Sequence, residues 1–448
     1  MKKKLSILII SILIALISIF FKIKSSFILP GIIYIFYCFK NPKRCFWIIY
    51  FIILLFPMGI SGNFNILIRI FQFMILILLF SILINNNDLR KFKFNNFVNS
   101  TFILLSILYF IYFFIGLTKG YDASNDFQIY GIHVVLFYCT YKVINEKDDI
   151  YKFMNITVYA ILCNCIIGII IYLTRGLSIW GLHGDSGRFG YNAQTLFIMT
   201  LTYMFFLFYN KRYVISKSII LFSYFLSIIL IILSQNRTNP VLIFINCILI
   251  ILINFGDKTS LKILIRRISL FMCAAALIIY GANIISNSNS EFINRYREVS
   301  SSDKNDNLQT RILTFNYYLD LIEEKPLGNG FGIHMPFVDS QGNFQIEEGF
   351  NTDNTYINIA YKSGVISLIL YIILLCSPLV KMAVNYKLSK DRIYLSTSIA
   401  YIMLLIGGSI VTSQTIHSYA VSTFIWVFIS YINLYTDKKF QLYKKGNK

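Results

Sequence analysis

Apolar runs separated by short charged connectors recur from one end of this chain to the other. A helix needs about 20 apolar residues to cross a hydrocarbon core, and only helices or closed barrels satisfy their backbone there. The pattern predicts spans at Leu5–Phe21, Ser25–Phe39, Cys45–Pro57, Phe64–Ile84, Phe97–Leu117, Gln128–Ile144, Met154–Leu173, Ala193–Tyr209, Tyr213–Leu233, Thr238–Phe255, Ile268–Ile285, Thr355–Pro378, Ile393–Thr412 and Thr415–Tyr435. The second and third are short enough to form a single re-entrant or tilted hairpin, so the expected fold is an all-α, polytopic transmembrane helical bundle of 12–14 spans.

One polar stretch interrupts this rhythm, from Ser286 to Thr352. Within it Leu308, Ile312, Phe315, Leu319 and Ile322 recur every three or four positions, which predicts an amphipathic helix over Asp306–Glu324. Lys325-Pro326-Leu327-Gly328 stops that helix, and such an element is expected to lie flat on the outer leaflet as a lid or brace. The chain thus divides into helices over 1–285, a large extracytoplasmic loop over 286–352 carrying the surface helix, and helices with a cytoplasmic tail over 353–448.

Composition agrees with the pattern: of 448 residues, 56% are hydrophobic, and the mean hydropathy is +0.65. Charge then supplies orientation, because Lys and Arg of short loops gather on the cytoplasmic side. Alternate connectors are richer in them, among them Lys2–Lys4, Lys40/Lys43/Arg44, Arg90/Lys91/Lys93, Lys258/Lys262/Arg266/Arg267 and Lys381/Lys387/Lys390/Arg392. Both termini are therefore expected in the cytoplasm and the long loop outside. This sorting also explains the net charge of +20 as headgroup contact, so nucleic-acid binding is not expected. The Lys2–Lys4 start before Leu5–Phe21 resembles a signal peptide, but no small-residue cleavage site follows, and an uncleaved first span is expected. The eight cysteines lie in or beside apolar runs, which indicates neither a disulfide framework nor a zinc site.

Candidate chemistry collects at the outer face. Arg237, in Ser234-Gln235-Asn236-Arg237-Thr238 between two spans, carries a planar donor fork suited to phosphate oxygens; snorkelling to headgroups is the other reading. Arg188 lies in the glycine-rich outer loop Thr174–Asn192, and the two guanidinium groups together would clamp a membrane-bound diphosphate. Asp353 and Asn354 open the next span, where capping the helix competes with catalysis. His334, His183 and His417 are expected outside and could each act as a base, while His133 lies within a span. Asp185 and the pair Glu323/Glu324 are further carboxylates near that face. Arg69 and Lys362 sit in apolar segments, so each must face the bundle interior or snorkel. Gly328-Asn329-Gly330-Phe331-Gly332 is no nucleotide loop, since it follows no predicted strand, and the cytoplasmic connectors are too short for a nucleotide-binding domain.

From Gly181 to Tyr371 the chain resembles the O-antigen polymerase and O-antigen ligase superfamily of bacterial envelope glycosyltransferases. Four features carry this: Arg188 in its glycine-rich loop, Ser234 to Thr238 at a span end, one large outer loop closing on Pro326 to Gly332, and Asp353-Asn354 followed by Gly364 and Ser367. The ligase branch has His where this chain has Asp353, and Gly where it has Ser367. The resemblance implies a multi-pass protein of the bacterial cytoplasmic (inner) membrane that polymerises undecaprenyl-diphosphate-linked oligosaccharides by inverting glycosyl transfer into O-antigen or capsular polysaccharide. Arg188 and Arg237 would hold the donor diphosphate. Asp353, with His334 as substitute, would orient or deprotonate the acceptor hydroxyl, and Asn354, Arg311, Gly330 and Gly332 would support them. The donor diphosphate supplies the energy, so no metal, nucleotide sugar or other cofactor is implied. A chain-length regulator and a flippase are the partners to expect. Ligase-type transfer of a finished glycan, or a transporter, are the alternatives; a transporter would more often show internal repeats and polar breaks at the midplane.

Overall fold

The structure is a computed structural model, and it describes residues 28–55, 64–85, 89, 91–94, 96–144, 150–175, 195–211, 214–233, 238–253, 306–338, 344–345, 352, 354–411, 415 and 418–446. The expected spans Leu5–Phe21 and Ile268–Ile285 lie outside these residues.

The expected class holds: the described chain is a polytopic helical membrane protein. The helices are α1 (Ile28–Lys40), α2 (Pro42–Leu55), α3 (Phe64–Ile84), α4 (Phe97–Thr118), α5 (Ala123–Val143), α6 (Ile150–Arg175), α7 (Leu196–Tyr209), α8 (Lys217–Leu233), α9 (Thr238–Ile253), α10 (Asp306–Glu324), α11 (Thr355–Ser389), α12 (Ile393–Leu405) and α13 (Tyr419–Gly446). A π-helical turn, Ile406–Val411, continues α12. The stretches Phe97–Thr118, Ile150–Ile167, Thr355–Ser389 and Ile393–Ile410 are each long and apolar enough to cross a membrane, and shorter apolar helices such as Leu196–Tyr209 and Tyr419–Leu434 pack among them. Outside the helices, Phe337–Val338 and Phe344–Gln345 form a small antiparallel hairpin in the long loop, with Phe337 opposite Gln345. The two short apolar segments near the N-terminus become α1 and α2, separated by Asn41 alone and both in contact with α3.

At the centre stands α5, packed against α13, α4, α3 and α2. Its Phe137 stacks on Phe102 of α4 at 4.0 Å, and Trp426 of α13 meets Phe137 edge-on at 6.4 Å. A second group, α7, α9 and α12, joins this core through α11 and α6. Large apolar side chains such as Phe36, Phe80, Phe110, Phe225 and Val380 point outward, as lipid-facing positions do.

The longest helix, α11, contains two local exceptions, and each is compensated. Pro378 has no N–H for the carbonyl of Leu374 one turn earlier; the hydroxyl of Ser377 donates to that oxygen instead at 2.8 Å. The second exception is a true break at Gly364, where φ is 81° and ψ 164°.

The surface helix α10 forms over the expected residues. The side it turns to the bundle takes only the end of the apolar stripe: Thr314 and Tyr318 are buried, Tyr318 packs with Met335, Ile357 and Tyr361, and Leu321 and Ile322 pack against that group. Ile312, Phe315 and Leu319 remain 52%, 41% and 41% exposed. The docking face thus mixes aromatic, hydroxyl and aliphatic groups against the first half of α11, where the ring of Tyr361 meets that of Tyr318 edge-on at 5.0 Å.

Candidate active site

The break in α11 frees backbone groups that a membrane helix cannot leave bare. The end of the long loop takes them up. Asn329 N donates to the carbonyl of Tyr361 at 3.0 Å, Gly330 N donates to that of Lys362 at 2.9 Å, and Val365 N donates to Pro326 O at 2.9 Å. Residues 326–330 thus stand in for the missing helical turn. Gly364 and Gly328 face each other here, both at positive φ, and a Cβ on Gly328 would lie 2.5 Å from Gly364 N. Only glycine tolerates both the conformation and the approach.

The same loop is tied to α4 and α5. Phe331 N donates to Tyr112 O at 3.1 Å, the Tyr112 hydroxyl donates to Leu327 O, and Lys119 Nζ donates to Asn329 O at 2.8 Å. The ring of Phe331 is fully buried, stacked on Tyr130 at 4.9 Å and 5.6 Å from Tyr109. Gly332 N donates to Asp126 Oδ2 at 2.7 Å. Both oxygens of Asp126 also accept from Lys362 Nζ, at 2.8 Å each, and the two side chains are 8% and 3% exposed. One carboxylate thereby joins α5, the glycine loop and the helix break.

Between two and three turns before the break, α11 begins at Thr355, just after Asn354. Its Oδ1 accepts from Tyr356 N at 2.9 Å and Ile357 N at 3.2 Å, so Asn354 is the N-cap. Thr352 is held on the other side of Asp353 in sequence: its N–H donates to Asn358 Oδ1 at 3.0 Å, and Asn358 Nδ2 donates to its carbonyl at 2.9 Å. Thr355 Oγ1 lies 2.7 Å from Thr415 Oγ1, which accepts from Ser409 at 2.9 Å. Ser422 Oγ donates to Thr415 O at 2.7 Å and lies 2.7 Å from His133 Nε2. His133 stacks on Trp426 at 5.9 Å, which makes it a packed core residue.

Of the residues expected to carry chemistry, Gly330, Gly332 and Asn354 are brought to the two ends of the short first half of α11. His334 is exposed, between Ile333 and Met335, which pack toward α10 and α11. Arg311 and Glu323/Glu324 lie on exposed positions of α10, and Arg69 is an exposed position of α3. Arg188, Arg237, Asp353, His183, Asp185 and His417 lie outside the described residues. Asp126, Lys119 and Tyr112 were not anticipated. A signal for Asp126 existed: Lys362 within an apolar run requires a carboxylate partner, and Asp126 borders an apolar run of its own. On α10, burial pushes the phenol of Tyr318 well above the ordinary tyrosine range, and its hydroxyl donates to Pro336 O. Among the described residues no group of three His, Cys, Asp or Glu side chains converges as a metal site would.

A broken membrane helix whose gap is filled by a loop from another segment, next to a capped polar helix start, defines a multi-pass membrane protein with a built site at one end of its bundle. Residues 222–372 match the O-antigen ligase family, a segment that contains α9, α10, the glycine loop and the break in α11. This bears out the resemblance over that segment. No curated protein matches the chain.

Proposed function

We propose that this protein joins undecaprenyl-diphosphate-linked oligosaccharide repeat units into O-antigen or capsular polysaccharide on the outer face of the bacterial cytoplasmic membrane, with both termini inside. The observation that carries this reading is the seating of the glycine loop in the break of α11, below a first turn capped by Asn354 and within the segment that matches the O-antigen ligase family. With Asn354 in the capping role, a cap no longer accounts for an aspartate at 353. Asp353 is then the group to orient or deprotonate the acceptor sugar hydroxyl, with His334 as substitute.

In the step itself the acceptor oxygen bonds to the anomeric carbon of the donor from the side opposite the diphosphate. The carbon–oxygen bond to the diphosphate breaks, its electron pair leaves with the phosphate, and the acceptor proton passes to the carboxylate. Arg188 and Arg237 stabilise the negative charge growing on the leaving group. Transfer of a finished glycan, as in the ligase branch, is the second reading; Asp353 in place of that branch's His favours polymerisation.

The test is deletion of the gene with complementation by wild type and by Arg188→Ala, Arg237→Ala and Asp353→Ala. Wild type restores long surface polysaccharide, the three variants do not, and single lipid-linked repeat units accumulate on the outer face. A deletion strain that still makes full-length polysaccharide sinks the proposal.

A further inference from the structure

His133 is 3% exposed inside the bundle, where an ionisable side chain is costly and commonly serves function. Its ring stacks on Trp426, and an apolar ring would fill that space as well. The imidazole nitrogen does what an apolar ring could not. Ser422 Oγ donates its single proton to Thr415 O at 2.7 Å, so toward His133 it can only accept. The nearer ring nitrogen is Nε2, at 2.7 Å against 3.3 Å for Nδ1, and it must therefore carry the donated proton. The serine sets the tautomer.

From Ser422 the chain of hydrogen bonds continues to the start of α11. Thr415 Oγ1 accepts from Ser409 Oγ at 2.9 Å and lies 2.7 Å from the hydroxyl of Thr355, the first residue of α11. Thr355, Ser409, Thr415 and Ser422 are all fully buried, so bulk water does not compete for these bonds. Ser409 belongs to the π-helical turn Ile406–Val411, a widened turn of a kind frequent at functional sites. Groups from α5, α13, the π turn and α11 thus form one network. Its last member, Thr355, stands two positions after Asp353.

One helix therefore supports both parts of the candidate site. Asp126 of α5 fixes the glycine loop through Gly332, and about two turns further along the same face His133 reaches the first turn of α11. We propose that His133 is a positioning residue: through Ser422 and Thr415 it sets the direction in which α11 starts, and with it the place of Asp353. The link from His133 to the helix start stands on the hydrogen bonds; its bearing on rate rests on the glycosyl-transfer reading, in which Asp353 meets the acceptor hydroxyl. Misplacing such a group by about 1 Å costs about 100-fold in rate.

The experiment uses the full-length protein in lipid nanodiscs, with lipid-linked repeat units extracted from the deletion strain as substrate. Wild type is compared with His133→Gln, His133→Phe and Thr415→Val. Glutamine carries an amide donor to about the place of Nε2, phenylalanine keeps a stacking ring without the donor, and valine cuts the chain further along. His133→Phe and Thr415→Val should lower kcat and kcat/KM together by about 100-fold, leaving KM unchanged, and raise hydrogen exchange at Tyr356, Ile357 and Asn358 about tenfold. His133→Gln should recover most of both. Unfolding midpoints on the same samples separate loss of folded protein from loss of rate. If His133→Phe does not fold, Thr415→Val and His133→Gln still decide. Wild-type kcat per folded molecule in Thr415→Val, or equal losses in His133→Gln and His133→Phe, would overturn the proposal and leave His133 as packing alone. The two readings separate. If wild type makes no polymer while exchange at the start of α11 still follows the donor, the glycosyl-transfer reading fails and the link stands. If wild type polymerises and neither kcat nor exchange follows the donor, the link alone fails.

Discussion

Asp126 and Lys362 stand 236 positions apart in the chain, and their side chains meet at 2.8 Å in a setting almost closed to solvent. Neither charge could be accommodated alone among apolar helices, because desolvating an ion costs several kcal/mol. The carboxylate is further satisfied by Gly332 N–H, so the pair also fixes the glycine loop. The ion pair therefore holds the loop, α5 and the break in α11 in one arrangement.

Removing one partner leaves the other buried and uncompensated. Asp126→Leu or Lys362→Met alone is expected to lower stability by about 3–5 kcal/mol, whereas the double substitution Asp126→Leu with Lys362→Met recovers most of the loss. Thermal unfolding of the four proteins in detergent measures this as a double-mutant cycle. Additive losses would mean that the two charges are not coupled.

How much of this arrangement the sequence discloses depends on whether its cause is local. The helix over Asp306–Glu324 could be read because its period and its stop at Lys325-Pro326-Leu327-Gly328 are neighbours. The orientation of α10 could not, since Ile312, Phe315 and Leu319 satisfy the same periodicity whether they face the bundle or the bilayer. Gly364 could be matched to a family pattern, but nothing in its surroundings indicates a broken helix. That break exists because Pro326, Asn329 and Gly330 supply partners from another segment. Asp126 escaped notice because an acidic residue in the first turn of a helix has an ordinary explanation. Asn354, by contrast, lies in a plain capping position, and only the geometry decides between it and Asp353 for that role.

The glycine seat makes a sharp steric prediction. Gly364→Ala places a Cβ at 2.7 Å from Leu327 O, and Gly328→Ala places one at 2.5 Å from Gly364 N, in both cases against backbone. Each should unseat the loop and expose its amides. Hydrogen exchange at Asn329, Gly330 and Phe331 is expected to rise by at least about tenfold, corresponding to some 1.4 kcal/mol of lost protection. Wild-type protection in Gly364→Ala would show that the loop does not depend on the break.

The exposed stripe on α10 is expected to rest on the bilayer. Phe315→Asp and Leu319→Asp do not touch the packed ring of Tyr318, so unfolding in detergent should shift by no more than about 0.5 kcal/mol, as exposed positions do. In lipid nanodiscs the outcome differs: the same changes place charge against the membrane and should raise amide exchange along Asp306–Glu324. Equal exchange for wild type and variant in lipid would show that the stripe meets something other than the membrane.

The pair Asp353 and Asn354 allows capping and chemistry to be separated by one residue. Asn354→Ala removes the acceptor for Tyr356 N and Ile357 N and should cost about 0.5–2 kcal/mol of stability, with polymer formation falling only as far as folded protein is lost. Asp353→Asn keeps size and removes the base. Its stability should stay near wild type while polymerisation of lipid-linked repeat units drops by about 100-fold to 10,000-fold, the usual contribution of a positioned general base. Unfolding midpoints and initial rates, measured on the same preparations, place each variant on one axis or the other. If Asp353→Asn loses stability and keeps its rate per folded molecule, the aspartate serves the helix and the chemistry belongs to another group, with His334 the first to test.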